Sequence, residues 1–275
     1  LLVRMSRLFT AIVLARMLGP AELGVAATAI SAFELVRILA NNGLGQMVVR
    51  APAERLEATC NSAAHLMRLV CLGMAVLLLA VGTVIAGLAG KPELMAMITC
   101  LSCIFLVMPA GMVNAWLLQR EQRMGRLAGV GTMQVGIDNL LTALLALAGL
   151  GAWAIVLPKL LTAPLWLAAV RYARPWEPNL EAGRISLANS WRFSASILAS
   201  EILVAIRFNV DKMLVGAIAG LEALGIYYFA FNAGYGLSLV LTGALASASF
   251  PHLADPTLSR AELLARFDRA LSRLA

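Results

Sequence analysis

The chain has 275 residues, 61% apolar and only 13% charged, against roughly 25% charged in an ordinary soluble domain. So few charges cannot clothe a water-exposed surface, which excludes a soluble globular protein and leaves lipid to cover most of the chain. The net charge of +7 would suit nucleic acid if it formed a patch, but it falls in short loops on one side of an apolar bundle, so no nucleic-acid partner is expected.

A membrane-crossing helix needs about 20 mostly apolar residues. Eight spans are read in chain order, at residues 1–18, 25–49, 66–89, 94–118, 127–150, 152–170, 187–218 and 224–250. Residues 69–89, 94–118 and 223–250 hold no ionisable acid or base. The connections alternate in kind. Those at 19–24, 90–93, 149–151 and 219–223 are tight, with Lys91 as their only basic residue; the opposite side, from Arg4 and Arg7 to Arg269 and Arg273, carries fourteen arginines. The positive-inside bias places the N-terminus and the arginine-rich side in the cytoplasm of a multi-pass bacterial inner-membrane protein. A cytoplasm-active reporter fused after Arg126 or Arg184 is therefore expected to give signal, and one fused after Gly90 or Gly220 none. Equal signal at Gly90 and Arg126 would overturn this orientation.

The stretch 173–186, ARPWEPNLEAGRIS, is the one real linker, since two prolines and a glycine stop the helix there. Six spans precede it, so the seventh starts from the same side as the first. This predicts an all-α polytopic transmembrane bundle of two parallel-repeat lobes with the second truncated. Residues 1–172 form the first six-helix lobe and 173–186 the cytoplasmic linker. Residues 187–275 begin the second lobe with spans seven and eight, then a cytoplasmic segment leading to a missing span nine. The chain, opening at Leu1 without an initiator, reads as a fragment. An internal match supports the repeat: Gly220 follows Gly19, and Gly225 follows Gly24, at the same offset of 201.

Within the spans, Pro109, Pro158 and Pro164 should each kink a helix by removing a backbone donor. Gly125/Gly129 and Gly216/Gly220 have the spacing of close helix packing. Four cysteines are few. Cys100 and Cys103 make a CxxC with no second pair and no histidine near in sequence, which reads as small core residues; no metal, cofactor or catalytic residue is expected.

Ionisable groups in hydrocarbon cost several kcal/mol unless paired or hydrated, so their placement is informative. Spans three to six carry Arg68, Asp138 and Lys159, whereas spans one, two and seven carry Arg16, Glu34, Arg37, Glu201, Arg207, Asp211 and Lys212. That asymmetry points to a polar cavity lined by the first two helices of each unit. Ser31, Glu34, Arg37 and Asn41 recur at helical spacing and form one polar stripe, in which Glu34 and Arg37 can pair. The alternative is an ion pair that only fixes packing. Arg207 and Asp211 lie one turn apart; Lys212 either lines the cavity or snorkels outward. Glu201 shares a face with Ser190 and Ser194. Arg16 is close to a span end. Asp138, beside Asn139 and a turn after Gln134, is a candidate ion-coupling site or a hydrogen-bonded structural carboxylate. Tyr227 and Tyr228 read as interfacial aromatics, while Tyr235 is a candidate sugar contact.

The segments LARMLGPAELG, NNGLGQMVVR and FNVDKMLVGAIAGLEALGIYYFAFN resemble the polysaccharide-biosynthesis flippases, the O-antigen, capsule and exopolysaccharide exporters of the multidrug/oligosaccharidyl-lipid/polysaccharide superfamily. The resemblance implies two lobes whose spans one, two, seven and eight face a central cavity. A polyprenyl-pyrophosphate-linked oligosaccharide would cross there by alternating access, with membrane lipids and other polysaccharide-assembly proteins as further partners. It carries over Arg16, Asp211 and Lys212; Glu34 and Arg37 rest on the helix-face argument. Two rivals stand beside this non-enzymatic reading. A cation-coupled drug exporter should have an acidic cavity, yet the seven charges of spans one, two and seven are four positive and three negative. A membrane glycosyltransferase or polymerase should have carboxylates, histidines or a metal motif at a membrane edge and a sizeable external loop, and every tight connection is only a few residues.

Overall fold

The computed structural model describes residues 2–40, 43–183 and 199–231, the last without 201, 204–205, 208 and 213. The candidates Asn41, Ser190, Ser194, Glu201 and Tyr235 lie outside the described residues. Among those described, secondary structure is helical with no strand. Helices α1 (Leu2–Met17), α2 (Pro20–Arg37) and α3 (Leu44–Arg50) are followed by the long α4 (Leu56–Ala89). Then come α5 (Pro92–Ser102), α6 (Ile104–Val107), α7 (Pro109–Arg120), α8 (Met124–Leu147) and α9 (Trp153–Ala173). We label the last described helix, Leu214–Phe231, α10. Residues Leu1–Tyr228 form one compact unit and Phe229–Ala275 a second, of which only 229–231 are described.

Five helices are long and apolar enough to cross a membrane, or six when the bent pair Pro92–Val107 and Pro109–Arg120 counts as one span. On α4, Met67, Cys71, Met74 and Leu78 are buried while Leu69, Leu72, Val76 and Leu88 are exposed. Its outer face is thus as apolar as its inner one, which suits lipid and not water. The protein is a multi-pass helical membrane protein.

The core lies between α4 and α5, where Met67, Met74, Leu78, Leu94, Met97, Ile98 and Leu101 are fully buried. Phe33 of α2 stacks on Phe105 of α6 with centroids 5.1 Å apart, which seats α2 on that core. α8 packs along α9 and holds α1; there Thr10 donates to the Asn139 carbonyl at 2.8 Å and Asn139 Nδ2 to Ser6 at 3.1 Å. At the arginine-rich end, Arg120 donates to the Val48 and Val49 carbonyls that end α3, at 3.2 and 2.9 Å, a cation satisfying helix C-terminal acceptors. The start of the linker is strapped to the same end. Asn61 Nδ2 donates to the Asn179 and Gly183 carbonyls at 2.6 and 2.9 Å, Asn114 to that of Arg174 at 2.8 Å, and Arg174 pairs with Glu121 at 2.7 Å.

The helix breaks at Pro109, bending by 53°, while α9 continues as one helix through Pro158 and Pro164. One local expectation needs correction. Nothing lies within 4 Å of where a Cβ would stand on Gly125 or Gly129, so that glycine pair does not mediate close packing among the described residues. Close approaches instead occur at Gly45 under the Trp116 indole and Gly82 against Ile98.

Candidate functional site

Three tight turns meet at one end of the bundle. Pro20 opens α2 and Glu22 reaches back to cap it, accepting from the Gly19 amide at 3.0 Å. Thus 20–24 is the first turn of α2 and not a loop. The Glu22 carboxylate stands beside Gly151 in the α8–α9 turn, where φ is +54° and a Cβ would meet Oε1 at 2.5 Å. The second hairpin reverses at Gly220, whose φ of +85° only glycine adopts readily. Although 214–231 is helical throughout, Tyr227 Oη donates to Asp211 Oδ2 at 2.6 Å across sixteen residues. A straight helix would hold those residues about 24 Å apart. The hairpin then crosses α2 glycine on glycine. A Cβ on Gly24 would overlap the Leu221 carbonyl, and one on Gly225 would overlap the Pro20 carbonyl and stand 2.6 Å from the Gly24 nitrogen. The two glycines matched in sequence thus meet in space.

A cavity of about 470 Å³ opens among α2, α6, α7, α8 and α9. It gathers Glu34 and Arg37 from α2, Gln134 and Asp138 from α8, and Lys159 and Trp166 from α9. Glu34 and Arg37 pair along their helix as their spacing allows, with Arg37 Nε and Nη2 donating to Glu34 Oε2 at 2.9 and 2.5 Å. Lys159 Nζ faces Asp138 Oδ2 at 3.5 Å, an ion pair too long to be a good hydrogen bond. The Asp138 Oδ1 atom is buried with no partner among the described residues. The two pairs differ in shielding: Lys159 and Asp138 side chains are 29% and 20% exposed, Arg37 and Glu34 50% and 37%. The second hairpin borders this region, since Glu34 acts electrostatically on Lys212, and Tyr228 and Glu34 on Lys159.

The remaining site candidates are dispersed. Arg16 is exposed on the last turn of α1 and Arg207 is exposed. Ser31 is buried, its hydroxyl without a partner among the described residues. Asp211 accepts the Tyr227 hydroxyl on one oxygen and leaves the other buried without a partner among the described residues, and Lys212 beside it is half-buried. Sequence reasoning missed Lys159, Gln134 and Trp166 as cavity groups and Tyr227 as the partner of Asp211. The available signal for Lys159 was its charge in an otherwise apolar span. No group of three or more His, Cys, Asp or Glu that could hold a metal occurs among the described residues.

The teichuronic acid biosynthesis protein TuaB of Bacillus subtilis (strain 168) is 24% identical over 159 residues, which are 57% of this chain and 33% of that protein. The chain therefore aligns with about a third of that relative's length. No solved structure matches it. The model of a family described as polysaccharide biosynthesis proteins matches residues 13–275, a stretch that contains both glycine hairpins and every charged group of the cavity. By that match the chain belongs to the polysaccharide biosynthesis protein family.

Proposed function

We propose that the whole protein is an inner-membrane flippase that moves a polyprenyl-pyrophosphate-linked oligosaccharide from the cytoplasmic to the outer face by alternating access, without enzymatic chemistry. The observation that carries this reading is the backbone crossing of the two matched hairpins at Gly24 and Gly225. Two repeats whose backbones cross at glycine can close one end of a bundle and part again, which a transporter needs and a glycosyltransferase does not. The charged groups of the cavity, further along α2 from that crossing, supply polar lining in an otherwise apolar bundle. Family membership and the relative named for teichuronic acid biosynthesis favour a glycan over a drug as cargo. A cation-coupled drug exporter is further disfavoured by the cavity itself, where two cations match two carboxylates and leave no acidic excess.

The test is restoration of glycan export by the full-length protein in a flippase-null strain. Arg37 gives it residue resolution. Because Arg37 and Glu34 are half-exposed, either can hydrate when its partner is removed, so Arg37→Ala is expected to abolish export while membrane abundance stays near wild type. Arg37→Lys should keep part of the activity, since the charge survives but the planar fork for phosphate is lost. An active Glu34→Ala/Arg37→Ala double variant would show that the pair only fixes packing.

A further inference from the structure

The hydrogen-bonding capacity left open around the 470 Å³ cavity narrows what it can hold. Lys159 has three N–H donors, and Asp138 at 3.5 Å is the partner the structure gives it. Arg37 commits Nε and Nη2 to Glu34 and keeps Nη1. Asp138 Oδ1 is buried with no partner among the described residues. Gln134 adds an amide that both donates and accepts. Trp166 contributes a half-buried aromatic surface to the same lining. The volume falls in the roughly 300–1,000 Å³ range of ligand sites.

Each simpler ligand leaves part of this inventory unmet. A bare cation at Asp138 Oδ1 is repelled by Lys159 beside it, and the described residues offer too few oxygens for a hard metal. A pyrophosphate beside Lys159 meets the Asp138 carboxylate that already balances it, whose charge repels an anion. An apolar molecule would strand Asp138 and Lys159 without water. A sugar ring carries hydroxyls that donate and accept around its edge and C–H groups across its face, matching the mixed polar groups and Trp166 together.

We propose that the cavity among α2, α6, α7, α8 and α9 is a binding site for an uncharged, hydroxyl-rich sugar ring, with Asp138, Lys159 and Gln134 taking its hydroxyls and Trp166 its apolar face. Only the origin of that sugar, as a unit of the exported glycan, rests on the flippase reading. The site lies on the α8 and α9 side of the cavity, apart from Arg37 of α2, which the flippase reading gives to phosphate.

The test is saturation-transfer NMR on the full-length protein in lipid nanodiscs, with glucose, glucuronate and inorganic pyrophosphate as separate probes, the last followed by phosphorus line width. Glucose is expected to receive saturation, and Gln134→Leu and Trp166→Leu each to weaken its binding by about fivefold, the size of one net hydrogen bond or aromatic contact. Because Trp166 also packs against the cluster of Ala115, Val130 and Val170, the surface-lining Gln134 supplies the variant that leaves the core intact. Pyrophosphate should not displace glucose, and glucuronate should bind no better than glucose. Glucose binding that is absent from an export-competent protein, or unchanged in both variants, overturns the site and leaves the flippase reading standing. Displacement by pyrophosphate, or preference for glucuronate, overturns the uncharged class. Variant-sensitive glucose binding in a protein that fails to restore export sustains the site and removes the flippase reading instead.

Discussion

Replacing Gly24 by alanine is expected to lower glycan export by roughly tenfold or more, since each 1.4 kcal/mol of bias against one conformer is a factor of ten. The same change at Gly19 should leave export near wild type. The added methyl on Gly24 would overlap the Leu221 carbonyl and stand 2.6 Å from its carbon. That neighbour is backbone and cannot rotate aside, so α2 and the second hairpin must separate. Gly19 has a φ of −74° and nothing within 4 Å of its added Cβ, so alanine fits there without displacement. Gly225→Ala should mimic Gly24→Ala, because its methyl would enter the Pro20 carbonyl. Gly129→Ala, in a helix interior with open space around it, should add about 0.5–1 kcal/mol of stability. Export and immunoblotted membrane abundance of these variants check the argument. Wild-type export from Gly24→Ala would refute a working role for the crossing.

The second large effect concerns Lys159. Lys159→Ala removes the ion-pair partner of Asp138 from a cavity that Phe33, Met108 and Met112 also line. With both partners less than a third exposed, that loss is of the order of 3 kcal/mol, the low end for a broken shielded pair. Membrane abundance is expected to fall several-fold, on the same order-of-magnitude reasoning. Asp138→Asn/Lys159→Met, which removes both charges, should bring abundance back, because no lone ion remains in the cavity. The contrast with Arg37 is part of the expectation: that half-exposed pair tolerates a single truncation in abundance, and this one does not. Equal abundance of Lys159→Ala and Arg37→Ala would show that Lys159 and Asp138 are hydrated as freely as the α2 pair.

Features local to one helix or one turn were legible in the sequence alone. Apolar length located the spans at 25–49, 66–89, 94–118, 127–150 and 152–170, each overlapping a helix or bent pair long enough to cross, because lipid demands it of any crossing helix. Glu34 and Arg37 were paired correctly because three residues of α-helix bring them onto one face. The hairpin glycines were visible as a repeated spacing, and Pro109 as a break. What required the tertiary structure is everything that joins separate helices. Asp138 and Lys159 are 21 residues apart on α8 and α9, and only the register of that helix pair, set at the turn through Gly149 and Gly151, puts their charges face to face. Tyr227 reads as an interfacial aromatic until the reversal at Gly220 carries it to Asp211. Paired glycines have different fates for the same reason. Gly125 and Gly129 face open space, while Gly24 and Gly225, far apart in the chain, admit the closest backbone contact. Sequence spacing specifies which residues share a face, but which face meets which is decided by packing of the whole bundle.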